Sequence, residues 1–330
     1  AICLGTGDGA IWISHLRRHP SDGSSTFKLP AAHLLGDRLR DVPVRPLSPE
    51  ASCRGRTFRE IRYEERESIG HLFFDFYNGA MSTSQCERLL QAYRFAQQRP
   101  TRGIVLWGGT EFWSNGIHLN TIEAADDPAE ESWRNINAID DLVLAILTTT
   151  DKLTFSAIQG NAGAGGVMLA LAADRVLCRR SVVLNPHYKG MGNLYGSEYW
   201  TYSLPKRVGS AMAQTLTSGL LPVGALHAAR LGLVDEVFPS NLADFRASVE
   251  AYAAQQLQPE TLARLLDSKQ KQRQADEAQK PLQQYRDEEL ANMRVNFWGS
   301  DPAYHEARRR FVFKAPPCRT PRHLALHRSP

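Results

Sequence analysis

The sequence has no CxxC pair, no apolar run longer than seven residues and no strong excess of either charge. The longest apolar run, Val167–Ala173, falls far short of the about 20 residues that a membrane-spanning helix needs, so no membrane association is expected. The five cysteines (Cys3, Cys53, Cys86, Cys178, Cys318) are odd in number and scattered. That argues against a disulfide framework and a zinc site, and fits free thiols in a reducing, cytoplasmic compartment. A formal charge of +4 supplies no case for nucleic-acid binding. No basic-then-apolar leader stands at the start. The chain opens at Ala1 in an apolar stretch without Met, so an upstream portion is expected.

What is present is a globular composition, 42% hydrophobic and 22% charged, with 24 Gly and 18 Pro in 330 residues. At ~150 residues per domain, about two domains are expected. In residues 1–28, Gly7-Asp8-Gly9 between apolar runs predicts a strand, a tight turn and a strand. Residues 29–55, with Pro30, Pro43, Pro46 and Pro49, have the composition of a linker. Strand and helix patterns then alternate. Ile69–Tyr77 is a strand, Asn78-Gly79 a turn, and Ser82 with Gln85 a capping box for a helix to about Ala96. Gly103–Trp107, Leu153–Gln159 and Arg175–Cys178 are further strands. Residues 129–147 are a helix, and NAGAGG opens another that reaches Ala173. Such alternation predicts an α/β fold with a parallel or mixed sheet. Beyond 208 the chain is nearly all helix. Residues 260–293 are expected to form a solvated helix, and the last 23 residues, with seven Lys/Arg and no acid, a mobile basic tail.

The loop Glu111–Leu119 and the glycines of Gly160–Gly166 each follow a strand, at the carboxyl edge where open α/β sheets bind ligands. Free N–H groups at the start of a glycine-rich helix favour an anion or an oxyanion, although such glycines also serve close packing. GNAGAGG is neither a phosphate loop nor GxGxxG. In NPHYKGMGNLYGSEYWTYSLPKRVG (185–209), Ser197 is expected to cap a short helix that Pro205 ends, with Glu198 in its first turn. The glycines could return the Tyr188 hydroxyl to that carboxylate, and a Tyr–Glu pair in a closed apolar site can relay a proton. The other reading is a Glu favoured by the helix dipole and a core Tyr. Phe112, Trp113, Tyr195, Tyr199 and Trp200 are candidates to exclude water.

Residues 69–240 resemble the crotonase (enoyl-CoA hydratase/isomerase) superfamily. The matching pieces are NGAMS before the first helix, FWSNGIHL at the F-x-x-G-x-D-L loop, AIQGNAGAGGVMLALAAD at the A-x-x-G-x-A-x-G-G-G helix, and LGLVDEVFP. The resemblance implies a crotonase-like spiral of ββα turns, with appended C-terminal helices here, and binding of acyl-CoA thioesters. It places the oxyanion-hole N–H groups on Ile117 and Gly165. It suggests contacts to CoA or substrate from Phe112, Ser114, Asn115, Gly116, His118, Gly166, His187 and Tyr195. The departures are specific: Met168 replaces the hydratase Glu, His187 is the nearest match to the second Glu, and His118 replaces the loop Asp.

A narrower resemblance covers 185–209, 6–16 and 284–313. These stretches are similar to a family of hydrogenase-maturation proteins that join a formyltransferase-like half to a crotonase-like half. That family moves a formyl group from formyl-tetrahydrofolate to CoA and splits formyl-CoA into CO and CoA. The CO becomes a ligand of the nickel–iron hydrogenase. The resemblance makes Tyr188 and Glu198 the catalytic pair, coenzyme A the carrier, no metal ion a participant, and the hydrogenase large subunit or its maturation complex the partner. It divides the chain into a formyltransferase-like remnant (1–28), a linker (29–55), the crotonase-like core (56–240) and a C-terminal helical region with a basic tail (241–330). Formyl-tetrahydrofolate would be reached only through the missing N-terminal half. The alternatives are another acyl-CoA enzyme of the hydratase/isomerase type, or a non-catalytic CoA-binding docking module.

Overall fold

A computed structural model describes residues 1–19, 25–50 and 57–315. It opens with a hairpin of β1 (Ile2–Thr6) and β2 (Gly9–Ile13), turning at Gly7-Asp8. Next, β3 (His15–Arg17) pairs antiparallel with β4 (Lys28–Pro30), which leads into α1 (Ala31–Leu35). The stretch with linker composition therefore begins as ordered structure, with Leu29 and Ala31 buried. Pro30 suits this junction because its fixed φ fits the extended end of β4, just before the helix begins at Ala31.

β5 (Ile61–Arg66) and β6 (Ile69–Phe74) form an antiparallel pair. Asn78 and Gly79 follow at φ 55° and 67°, conformations natural to Asn and Gly. α2 (Thr83–Gln98) carries the expected capping box: the Gln85 N–H donates to Ser82 Oγ (3.4 Å), and the Ser82 N–H donates to Gln85 Oε1 (3.0 Å).

Three similar turns come next. The first is β7 (Gly103–Trp107), β8 (Phe112–Ser114) and helices α3 (Leu119–Glu123) and α4 (Pro128–Leu147). The second is β9 (Leu153–Ile158), β10 (Asn161–Gly163) and α5 (Gly165–Leu171). The third is β11 (Arg175–Arg179), β12 (Val183–Asn185) and α6 (Trp200–Val208). After α7 (Ser210–Gly219), β13 (Val223–Gly224), α8 (Ala225–Leu231) and β14 (Glu236–Phe238) come α9 (Leu242–Gln256), α10 (Pro259–Gln279), α11 (Leu282–Trp298) and α12 (Ala303–Val312).

The first strand of each turn enters a six-stranded sheet ordered β14-β11-β9-β7-β6-β5, parallel except for β5. The second strand enters a four-stranded sheet ordered β13-β12-β10-β8. Stacked ββα turns of this kind make a spiral, as expected. The parallel strands are apolar on both faces because both are covered. In β7, Ile104 and Leu106 face the core shared with α2 and α4, while Val105 and Trp107 face Phe245, Val249 and Ala253 of α9.

Four local expectations are corrected. Asn161–Gly163 is a strand, pairing with both β8 and β12, so the glycine-rich helix starts only at Gly165. Ser197 does not cap α6, and Glu198 lies before the helix rather than in its first turn. Glu198 and Tyr199 are both left-handed (φ 63° and 56°), which a right-handed helix cannot accommodate. Pro205 lies inside α6; the helix ends at Gly209 (φ 78°), whose N–H donates to Pro205 O. Finally, 260–293 is not one solvated helix. Pro281 separates α10 from α11, and α11 buries Leu282, Glu289, Leu290, Met293 and Phe297. At the C-terminus, Arg308 is buried in α12, whereas 316–330 lie outside the described residues, as do Cys53 and Cys318. Among the described residues no helix is long and apolar enough to cross a membrane, and no cluster of His, Cys, Asp or Glu could hold a metal ion.

Candidate active site

A cavity of about 740 Å³ opens where the β8–α3 loop, the start of α5 and the 185–198 segment converge. The β8–α3 loop is pinned by its own sequence. The Asn115 side-chain amide donates to Asn78 O (2.8 Å), and the Asn115 N–H donates to Gly79 O (2.7 Å). Gly116 bends at φ 75°, which brings its Cα against Gly165: a Cβ at 116 would stand 3.2 Å from Gly165 N. Gly165 is the first residue of α5, so its N–H has no helical acceptor. Ile117 and Gly165 both line the cavity, joined by the close approach of Gly116 to Gly165.

On this wall sits a buried phenol–carboxylate pair. Tyr188 Oη donates to Glu198 Oε2 at 2.6 Å, and that oxygen also accepts the Ser197 N–H (3.2 Å). Glu198 Oε1 lies against Gly165, where a Cβ would stand only 2.0 Å away. One carboxylate oxygen is therefore occupied by donors, and the other faces the start of α5. The Tyr188 ring is seated by Gly196 (φ 93°), whose hypothetical Cβ would meet Tyr188 Cδ2 at 2.2 Å. Any larger residue at 165 or 196 would displace one member of the pair. Burial raises the Glu198 carboxyl to about 7 despite the Tyr188 hydrogen bond. Burial, and then the Glu198 charge, hold the Tyr188 phenol well above its ordinary value.

Residues 72–315 match the Enoyl-CoA hydratase/isomerase family. The chain belongs to that family. It is 52% identical over 328 residues to the "Hydrogenase maturation factor HoxX" of Bradyrhizobium diazoefficiens, covering 99% of this chain and 56% of that protein. Among solved structures, HypX from Aquifex aeolicus in complex with tetrahydrofolic acid superposes with a TM-score of 0.95 at 47% identity, over 99% of this chain and 57% of that one. The chain thus spans a little over half the length of these relatives. Enoyl-CoA hydratase from Bacillus halodurans shares the fold at TM-score 0.67 and 19% identity, over 76% of this chain and 99% of that one.

Met168, where the resemblance leads one to expect a hydratase carboxylate, is fully buried in α5, and its thioether cannot move a proton. His187 lines the cavity with Nδ1 buried and unpartnered, and burial lowers its basicity. His118 also lines the cavity, but its Nδ1 accepts the Thr121 N–H (3.2 Å) and caps α3; burial takes its pKa down to about 4. Phe112, Asn115 and Gly116 complete the wall near it.

Several residues proposed from sequence stand elsewhere. Gly166 and Ser114 do not line the cavity; they press β8 onto α5, with Ser114 O 2.0 Å from a hypothetical Cβ at 166. Tyr195 packs on Trp200, outside the lining. Of the five aromatics considered as water barriers only Phe112 lines the cavity. Trp113 and Tyr199 are core, and the Trp113 indole donates to Gly166 O at 3.0 Å. The apolar lining comes instead from residues such as Ile136, Met191, Leu194 and Met293. His15 and Lys28, from the N-terminal strands, also reach the cavity. Composition gives no sign of that role. Behind this wall α4 buries a carboxylate, Asp140, whose sequence signal is an acid amid the apolar positions Ile136, Ile139 and Val143.

Proposed function

We propose that this chain splits formyl-CoA into carbon monoxide and CoA, and that the CO serves as a ligand in nickel–iron hydrogenase maturation. The carrying observation is the buried 2.6 Å contact between Tyr188 and Glu198 beside Gly165. The similarity to a protein named as a hydrogenase maturation factor supports the setting. In this reading the Gly165 and Ile117 N–H groups hold the formyl oxygen. The ionised Glu198 takes the formyl proton. The electrons of the C–H bond become the lone pair of CO, and those of the C–S bond leave on sulfur. Tyr188 O–H protonates the departing thiolate and is restored by the Glu198 carboxyl. The sum is HC(O)–SCoA to CO and HS–CoA, with no water consumed. The cavity's apolar lining suits a reaction in which water would hydrolyse the thioester. Phe112, Asn115, Gly116, His118 and His187 are the wall residues placed to meet the thioester or its pantetheine arm. Ser114 and Gly166 support that wall from behind. Formyl-tetrahydrofolate would be handled by the portion of the relatives that this chain does not span. The division at 28, 55 and 240 belongs to the same proposal.

The test is to supply formyl-CoA to the purified chain and trap CO on reduced myoglobin. CO release with stoichiometric free thiol is expected, whereas crotonyl-CoA is expected to stay unhydrated. Crotonyl-CoA hydration without CO would replace this reading with the hydratase one.

The pH dependence follows from Glu198. Its carboxyl must be ionised to accept the proton, and burial raises it to about 7. CO release under saturating formyl-CoA should therefore climb with pH through about 7 and level off above it. A rate that is flat from pH 5 to 8 would remove Glu198 from the role. Gly165→Ala tests the geometry. A Cβ 2.0 Å from Glu198 Oε1 must push the carboxylate aside. Turnover should fall roughly 10- to 100-fold, the order of loss that a displacement of about 1 Å causes. A circular-dichroism melt is expected to show the chain still folded.

A further inference from the structure

The segment that carries Glu198 turns on its own backbone hydrogen bonds as far as Leu194, but from Tyr195 to Tyr199 its N–H groups go to side chains. Four of those N–H groups, on Tyr195, Gly196, Glu198 and Tyr199, are taken by side chains of two helices. On α11, Glu289, Met293 and Asn296 stand at i, i+4 and i+7, one face of the helix. Asn296 Oδ1 accepts the Tyr195 N–H (2.9 Å), and Met293 Sδ lies 3.1 Å from the Gly196 N. Glu289 uses both oxygens: Oε2 accepts the Tyr199 N–H (2.9 Å), and Oε1 accepts the Thr201 N–H (2.8 Å). From α4, Asp140 Oδ1 accepts the Glu198 N–H (2.7 Å). Asp140 and Glu289 are both fully buried.

These contacts meet the segment at its least favourable point. Two successive non-glycine residues, Glu198 and Tyr199, are left-handed. Each such residue is strained and persists only where its surroundings fix it. Burying two more carboxylates beside Glu198 is also unfavourable unless they are bonded. The nearby cation is Arg286, 3.9 Å from Asp140 Oδ2 and bonded to Asp141 at 2.6 Å. Stability alone gives little reason to gather three carboxylates here.

We propose that Glu289 and Asp140 are positioning residues, and that α11 is a template that holds the left-handed Glu198-Tyr199 backbone so that the Glu198 carboxylate faces Gly165. The inference rests on the reading of Glu198 as the reacting base. It makes an appended helix part of the site.

The test uses Glu289→Gln, Asp140→Ala and Asp140→Asn in the full chain, with two readouts. The first is kcat and KM for CO release from formyl-CoA. The second, independent of turnover, is a carbon-13 NMR titration of labelled Glu carboxyls, with the Glu198 signal assigned by its loss in Glu198→Gln. Gln at 289 can offer one oxygen, so its amide NH2 must face a second N–H donor. Glu289→Gln is expected to lower kcat about 10- to 100-fold with KM within about twofold, and to move the Glu198 midpoint down toward the ordinary carboxylate range of about 4.3. Asp140→Ala should do the same. Asp140→Asn keeps an acceptor for the Glu198 N–H and should restore most of kcat. Unchanged kcat and an unmoved Glu198 titration in Glu289→Gln and Asp140→Ala would overturn the proposal. So would equal losses in Asp140→Ala and Asp140→Asn. If Glu289→Gln does not fold, the Asp140 pair decides alone. If the wild type releases no CO but the Glu198 titration still moves, the template stands and the reaction assigned to it falls.

Discussion

Glu198→Gln should abolish CO release from formyl-CoA while CoA still binds. A positioned general base contributes about 10²- to 10⁴-fold, and Gln supplies none of it. Shape is preserved, because a Gln Oε1 can still accept the Tyr188 hydroxyl now bonded at 2.6 Å. The loss should fall on kcat and leave KM nearly unchanged. Tyr188→Phe should lose less, since the CoA thiolate can leave unprotonated and take its proton from solvent once outside the cavity. Stability should move the other way. Burial raises the folded Glu198 carboxyl from 4.5 to about 7, so the folded state binds more protons than the unfolded one between those values. Its contribution is fully present below about pH 4.5 and is lost as pH rises through about 7. Glu198→Gln removes that loss, so its Tm relative to wild type should improve from pH 5 to pH 8. Undiminished CO output from this variant would remove Glu198 from the chemistry. A Tm difference that does not change with pH would mean that the carboxyl is not held protonated by burial.

The pair could be anticipated because the information is local and steric. Tyr188 and Glu198 are ten residues apart in a segment with three glycines, and Gly196 makes room for the ring. The capping box at Ser82 and the Asn78-Gly79 turn were legible for the same reason, since each is a property of four or fewer residues. The template was not. Asp140 and Glu289 act on backbone N–H groups 58 and 90 residues away, and any acceptor at the right place would serve. Glu289 lies in a polar helix whose surface composition hides its one buried acid. The aromatics misled because aromaticity reports burial but not which side of a wall the ring is on. Trp113 faces into the core behind the loop that Phe112 presents to the cavity. Composition read 29–55 as a linker, but Pro30 closes β4 and leads into a helix, and that strand brings Lys28 to the site.

The start of the basic region, where Arg308 lies in α12, is structural, and Glu123→Ala should reveal how much. Arg308 Nε meets Glu123 Oε2 at 2.9 Å, with side chains only 5% and 7% exposed. Arg309 approaches the same carboxylate at 3.6 Å but is 73% exposed, so water screens it. Removing Glu123 would leave a buried guanidinium with His305 Nδ1 (2.8 Å) and the Tyr304 ring as its remaining partners. Breaking a buried pair from one side costs about 3–5 kcal/mol, mostly through the charge left behind. By contrast, the exposed Lys271–Asp267 pair on α10 should be worth only about 0.3–0.5 kcal/mol. The consequence reaches the site through α12. Gly192, at φ 63°, packs so closely on the start of α12 that a Cβ would lie 2.1 Å from Ala303 O, and Phe311 of α12 lines the cavity. Urea unfolding should therefore show Glu123→Ala destabilised by about 3–5 kcal/mol. Glu123→Leu combined with Arg308→Met should recover most of that loss, because neither charge then remains buried. If the double variant is no more stable than Glu123→Ala, the ion pair itself, and not the orphaned charge, holds α12 against α3.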